Sequence, residues 1–361
     1  MMKISSLYVH IPFCEHICTY CDFCKMFYNE KICDKYLNVL IKELNNLNIK
    51  NKLKTIYIGG GSPSCLNEKE LENLLKELNK YLDINYEFTI EVNPENINEK
   101  KVKLFKKYGI NRVSIGVQSF NKDILNFLGR KHDFNDVKRT VDLLNKYNIT
   151  NYSFDFIYGI KGLTIDMIKK NLDLIFSLNP KHLSFYSLIL EDNTIIKVNN
   201  YKELDEDSVR EQYDFIYDEL YKKGYIRYEV SNFAKDNYES KHNLVYWNNE
   251  EYYAIGVGAS SYVNGIRYTT SRNITKYVNN TIEKESFATN KEKEYIMLKF
   301  RLVKGIDLDE YKQLFNKDFL NEYKDITSKF LKNNLLIIDK NYLKTTYNGM
   351  MLLDSILVEY M

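Results

Sequence analysis

The chain alternates short runs of β-branched and aromatic residues with longer segments in which apolar side chains recur every three or four positions. The short runs fall at 7–11, 55–58, 87–92, 112–117, 153–158 and 182–188, and the helix-period segments at 35–47, 68–82, 98–107, 135–147 and 165–176. Asn67 followed by Glu70, and Asn98 followed by Lys101, suit helix N-termini, the first more fully because a glutamate there returns a bond to the cap. Six strands alternating with helices predict an α/β fold with a parallel sheet and helices outside. Periodicity does not say whether that sheet closes into a barrel. Beyond about residue 204 the pattern changes: a helix-like stretch over 208–223 leads to a run at 225–233 and a polar, aromatic segment reaching 262. From 291 onward, helical segments and a hairpin-like pair at 335–338 and 342–345 predict a small winged-helix-like α+β domain. No internal repeat or low-complexity linker is visible.

Chemistry is concentrated near the start. Cys14, Cys18 and Cys21 form a C-x3-C-x2-C loop entered from the first short run. Thiolates this close can wrap one iron–sulfur cube, and three of them leave the fourth iron without a protein ligand. An open iron can chelate an amino nitrogen and a carboxylate oxygen, such as the methionyl end of S-adenosylmethionine (SAM). Cys24 makes a fourth nearby thiol, so a zinc site and a disulfide also remain open; zinc knuckles usually draw a second cysteine pair from elsewhere, and none exists here. All 6 cysteines lie before residue 66, which excludes a second cysteine-ligated cluster or a disulfide further on.

Composition adds bounds. The 361 residues, 44% hydrophobic and 28% charged, are ordinary for a soluble globular chain, and a net charge of +2 gives no reason to expect a nucleic-acid surface. No signal peptide and no apolar run of membrane length are visible, so the expected location is cytoplasmic, without a transmembrane segment.

Further motifs end the later strands. Gly59-Gly60-Gly61-Ser62-Pro63 closes the second and lets backbone approach a ligand, although glycine serves any strand-to-loop turn. Glu91-Val-Asn-Pro-Glu95 ends the third, Arg112-Val-Ser-Ile-Gly-Val-Gln118-Ser-Phe120 the fourth, and Asp155-Phe-Ile-Tyr-Gly159 the fifth, with Leu128-Gly-Arg130-Lys-His132 between the last two. Each alone suits a cap or a surface residue. Jointly they place polar groups at successive strand ends, where a barrel rim gathers them.

The set YVHIPFC, GGGSP, EVNPE, RVSIGVQSF, LGRKH and DFIYG resembles the coproporphyrinogen-dehydrogenase branch of radical-SAM proteins. The resemblance implies a partial (β/α)6 radical-SAM barrel over 1–205, a family-specific segment over 206–290 and the C-terminal winged-helix-like domain over 291–361. It implies that Cys14, Cys18 and Cys21 ligate a [4Fe–4S] cluster. It also implies that Tyr8, Gly60, Gly61, Ser62, Glu91, Gln118, Arg130 and Asp155 contact SAM, with Tyr20 against the cofactor or a second SAM.

The branch holds two functions: oxygen-independent coproporphyrinogen III dehydrogenase, which oxidatively decarboxylates two propionates, and the HemW-type heme chaperone. Dehydrogenases typically carry a cysteine two positions after the third cluster cysteine, where this chain has Phe23. The chain also begins only a few residues before the motif. Most specifically, His242-Asn-Leu-Val-Tyr246-Trp247 resembles the chaperone's HNxxYW segment. That implies a heme site with His242 as an axial ligand, and with Tyr246 and Trp247 giving the porphyrin apolar contact. In isolation these residues would simply pack and satisfy a loop; His10 has no assigned role. Ser260 stands where a Gly-Ala-His stretch is expected, and Lys161 where a proline is usual. The expected activity is heme delivery to an apoprotein, with a respiratory acceptor, a homodimer and peripheral membrane association through a partner left open.

Overall fold

The computed structural model describes residues 3–361. Its centre is a nine-stranded sheet. Six strands, β1 (Ser6–Ile11), β2 (Leu53–Gly60), β3 (Leu82–Val92), β4 (Arg112–Gln118), β5 (Tyr152–Tyr158) and β6 (His182–Ser187), pair in parallel in chain order. The sheet is an open (β/α)6 barrel. Two additions from residues 206–290 extend it: Tyr253–Ile255 lies parallel to β1 at one edge, and Asn232–Ala234 runs antiparallel to β6, with Ile226–Arg227 beyond it. The run expected at 225–233 is thus two short strands rather than one.

Alternate residues divide the barrel walls. Val9, Ile58, Ile90, Ile115, Phe154 and Phe185 are buried in the main core with the surrounding helices. Burial of such side chains contributes about 1.5–3 kcal/mol each. The intervening positions are polar: His10 on β1, Thr55 on β2, Glu87 and Glu91 on β3, Arg112 and Ser114 on β4, Ser153 and Asp155 on β5. They meet one another inside, as when Ser114 Oγ donates to Asp155 Oδ2 at 3.0 Å and the Arg112 guanidinium to Ser153 Oγ at 3.2 Å. A parallel sheet usually reads as unbroken apolar runs; here the inner face is a polar chamber.

The helices start where side chains can satisfy their free N–H groups. Helix Glu68–Asn79 carries a complete capping box between Asn67 and Glu70, whereas at Glu99–Tyr108 Asn98 accepts from Lys101 N with no reciprocal bond. Such caps are worth about 1 kcal/mol. Residues from Tyr295 to Tyr360 build a second core, in which helices Leu308–Phe315 and Lys324–Lys332 lead into the Leu336–Asp339/Tyr342–Thr345 hairpin. That is the layout of a winged helix.

Candidate functional site

The C-terminal ends of the barrel strands surround a cavity of about 520 Å³. It is lined by Cys14, Cys18, Tyr20, Cys21, Gly60, Gly61, Ser62, Glu91, Gln118, Arg130 and Asp155, eleven of the fifteen residues singled out from sequence. The other four, Tyr8, His242, Tyr246 and Trp247, lie elsewhere.

The cysteine loop is held from several sides. Residues Phe13–Cys14 bridge in parallel to Met26–Phe27, closing the loop at its base. Thr19 N bonds Leu128 O at 3.1 Å, and His10 Nε2 bonds Cys24 O at 2.8 Å, from inside the barrel. All six thiols are free; Cys33 and Cys65 are buried in the core, and Cys24 turns its Sγ toward Arg272 O at 3.8 Å, outside the cavity wall. Burial, reinforced by the neighbouring thiols, pushes the Cys14 thiol up to about 12. It therefore ionises only when a cation takes its proton's place, so loading releases protons. Among the described residues no three His, Cys, Asp or Glu side chains converge on one point as a single metal ion demands. Three thiols spread around one wall suit a larger body, and the donor set fits an iron–sulfur cluster.

The glycine turn shows why its residues are glycine. Gly60 has φ +117, and a Cβ there would sit 2.6 Å from the His10 ring. A Cβ on Gly61 would fall 2.8 Å from Phe13 O and 2.9 Å from Cys14 Sγ. The end of β2 thus presses directly on the cysteine loop. The N–H groups of Gly60, Gly61 and Ser62 are used by Glu91, Ile11 O and Phe13 O. What the turn leaves for a ligand is carbonyl oxygen, an acceptor suited to an ammonium.

Opposite stand the charged groups. Arg130 is buried and donates to Asn93 Oδ1 at 2.9 Å, Gly116 O at 2.7 Å and, weakly, Cys18 Sγ at 3.7 Å; its Nε has no partner. Gln118 sits at φ +65, a left-handed conformation uncommon for this residue, where the β4–β5 register slips. Strain of this kind concentrates at ligand sites. Glu91 accepts from Tyr57 Oη at 2.7 Å and Gly60 N at 3.1 Å, yet burial, with the Asp155 charge adding to it, raises its carboxyl to about 7. Because the folded value exceeds the unfolded one of 4.5, the stability from its bound proton is complete below 4.5 and lost as pH rises through about 7. Glu91→Gln is expected to flatten the fall in thermal midpoint of SAM-free protein between about pH 5 and about pH 7.5. An unaltered slope in the variant would mean another group titrates there.

Beneath the cavity the structure relocates the four remaining residues. Tyr8 bonds its hydroxyl to His10 Nδ1 at 3.0 Å and stacks on Tyr57, one layer under the floor. His242 begins helix Lys241–Trp247, whose first N–H groups (Lys241, His242) bond the Glu87 carboxylate at 3.1 and 3.0 Å. Its ring is fully buried with both nitrogens occupied: Nδ1 with Thr55 Oγ1 at 2.7 Å and Nε2 with Tyr246 Oη at 2.8 Å. That ring also stacks on Tyr57, the residue that donates to Glu91. Trp247 is half-buried away from the cavity, its Nε1 enclosed without a partner and the Arg301 guanidinium 5.8 Å over its ring. The segment closes the barrel from below and supports Glu91 through Tyr57; no nitrogen of His242 is free for iron.

Sequence reasoning missed several cavity residues: His16, Lys25, Asn93, Ser114, Tyr186 and Arg272. Asn93 and Ser114 lie inside the motifs already singled out, on alternate positions that face inward. Arg272 carries no local signal, since its Asp22 partner is remote in sequence.

A cavity at the C-terminal mouth of an open (β/α)6 barrel, with a C-x3-C-x2-C loop on one wall and a glycine turn against it, defines a radical-SAM protein. A family model described as the Radical SAM superfamily matches residues 8–175, and one described as the HemN C-terminal domain matches residues 289–352. The solved coproporphyrinogen III oxidase (HemN) of Escherichia coli shares the fold at a TM-score of 0.87, with 20% identity, covering 99% of this chain and 90% of that one. The heme chaperone HemW of Lactococcus lactis is 36% identical, covering 100% of this chain and 98% of the relative, and that of Bacillus subtilis is 34% identical, covering 92% and 93%. The chain belongs to the HemW family of heme chaperones.

Proposed function

We propose that this protein is a cytoplasmic heme chaperone that holds a [4Fe–4S] cluster and SAM in the cavity and delivers heme to an apoprotein. The observation that carries the cofactor part is the convergence of Cys14, Cys18 and Cys21 with Gly60–Ser62, Glu91, Gln118, Arg130 and Asp155 on one cavity. The three thiolates would hold the cluster, whose open iron, when bound, supplies a chelating site and an electron donor. The carbonyls of the glycine turn would take the SAM ammonium, while Glu91 and Asp155 would accept from its hydroxyls. Arg130 would balance negative charge beside Cys18. The heme part is supported by the full-length similarity to heme chaperones and by Phe23, which puts an apolar ring on the cavity wall where dehydrogenases typically carry cysteine.

No described helix is long and apolar enough to cross a membrane, so membrane-bound hemoproteins would be reached through contact with the acceptor. The test is transfer. Anaerobically reconstituted protein, loaded with one equivalent of heme and mixed with a heme-free b-type apoprotein, is expected to pass heme on faster than heme reaches the acceptor from buffer. Transfer no faster than from buffer would remove the chaperone reading.

A further inference from the structure

The cavity mouth carries exposed apolar side chains and cationic side chains side by side. Phe23, beside the third cluster cysteine, is 65% exposed, and Ile189, just past β6, is 66% exposed; both line the cavity. Lys25 and Arg272 stand on the same rim. The Lys25 ammonium contacts the carbonyls of Cys21 and Phe23 and also the Cys21 thiol. The Arg272 side chain is 62% exposed; it donates from Nη1 to Asp22 O at 3.3 Å and reaches the Asp22 carboxylate from Nη2 at 3.6 Å, which leaves further N–H groups of the guanidinium for a second anion. Glu191 is the other acidic group on the rim. Two apolar side chains beside two cations match a flat, greasy ligand with carboxylates at one edge.

The histidines point to the same place. Four of the 5 are buried and bonded: His10 to Tyr8 and Cys24 O, His132 to Val117 O, His182 to Tyr228, and His242 to Thr55 and Tyr246. His16, between Cys14 and Cys18, is exposed and lines the cavity. A neutral imidazole with an open nitrogen is a common axial ligand of heme iron.

We propose that the cargo heme docks on this rim, one face against Phe23 and Ile189, its propionates toward Lys25 and Arg272, and its iron bound by the imidazole of His16. The inference rests on the heme-chaperone reading and assigns the cargo site within it. Binding is a ligand exchange: an imidazole nitrogen donates its lone pair to the iron, a bound water leaves to solvent, and no electron is transferred. A heme held at the mouth stays open to an acceptor, which one buried at His242 would not.

The test titrates iron protoporphyrin IX, and separately its dimethyl ester, into cluster-loaded protein, reading affinity and the Soret difference spectrum, with iron and sulfide assayed in parallel. His16→Ala is expected to lose the imidazole-ligated spectrum and bind at least about tenfold more weakly, with added imidazole restoring the spectrum. His16→Gln, which keeps the loop polar, is expected to behave the same way. Phe23→Ala should weaken binding severalfold without moving the band. Replacing Lys25 and Arg272 together by Gln should weaken binding of the acid but not of the ester. Unchanged spectrum and affinity in both His16 variants, or loss of ligation in His242→Ala alone, would overturn the assignment. Absence of heme binding by the unaltered protein would instead remove the chaperone reading itself.

Discussion

Cys18→Ala is expected to leave a folded chain that no longer assembles an iron–sulfur cluster and no longer binds SAM. Cys18 is half-buried on the cavity wall, and its thiol contacts the Arg130 guanidinium at 3.7 Å and the Tyr20 hydroxyl. Removing one sulfur from a loop rather than a packed core should cost no more than about 1 kcal/mol of stability. The consequence for the cluster is far larger, because two thiolates cannot hold a cube whose fourth iron already lacks a protein ligand. Iron and sulfide content after anaerobic reconstitution is the readout, with circular dichroism confirming the fold. Cys33→Ala is the control: Cys33 is fully buried away from the cavity, so that variant should be less stable and still carry its iron. Full iron and sulfide content in Cys18→Ala would refute the ligand assignment.

His242→Ala has the opposite signature. The substitution opens a cavity at the barrel base and leaves Thr55 Oγ1 and Tyr246 Oη without their partner, a loss of about 2–4 kcal/mol. Burial holds the imidazole at about 3, so it stays neutral throughout the working range and its role does not depend on charge. With one of its two stacking partners gone and Tyr8 alone remaining, the Tyr57 ring is freer and the bond that positions Glu91 weakens, so SAM affinity should fall while iron and sulfide are retained. Thermal unfolding and SAM binding check this together. A variant of unchanged stability and SAM affinity that loses only heme would restore the axial-ligand role suggested by the HNxxYW resemblance.

These two residues show what a sequence discloses. Cys14, Cys18 and Cys21 were legible because their geometry is local: one short loop fixes their neighbourhood. Gly60 and Gly61 were legible for the same reason, since only glycine fits against His10 and Cys14. His242 was not, because Thr55, which takes its Nδ1, and Glu87, which takes its backbone N–H, lie far back in the chain, and only the closed fold reveals that neither ring nitrogen is left free. Tyr8 differs from the motif's expectation by one layer of the sheet, which alternation alone does not resolve. The six strands followed from periodicity, but Tyr253–Ile255, three residues long, is too short to show any. Ser114 and Asp155 stood inside runs read as strands, and their inward facing makes sense only once the chamber behind them is seen to be polar.

The most direct measurement gives the reconstituted protein, with SAM and a reductant, heme in one vessel and coproporphyrinogen III in another. Stoichiometric heme uptake and no decarboxylated porphyrinogen are expected of a heme chaperone. Conversion of coproporphyrinogen III to protoporphyrinogen, with SAM consumed in step, would contradict that reading and make Phe23 irrelevant to the distinction.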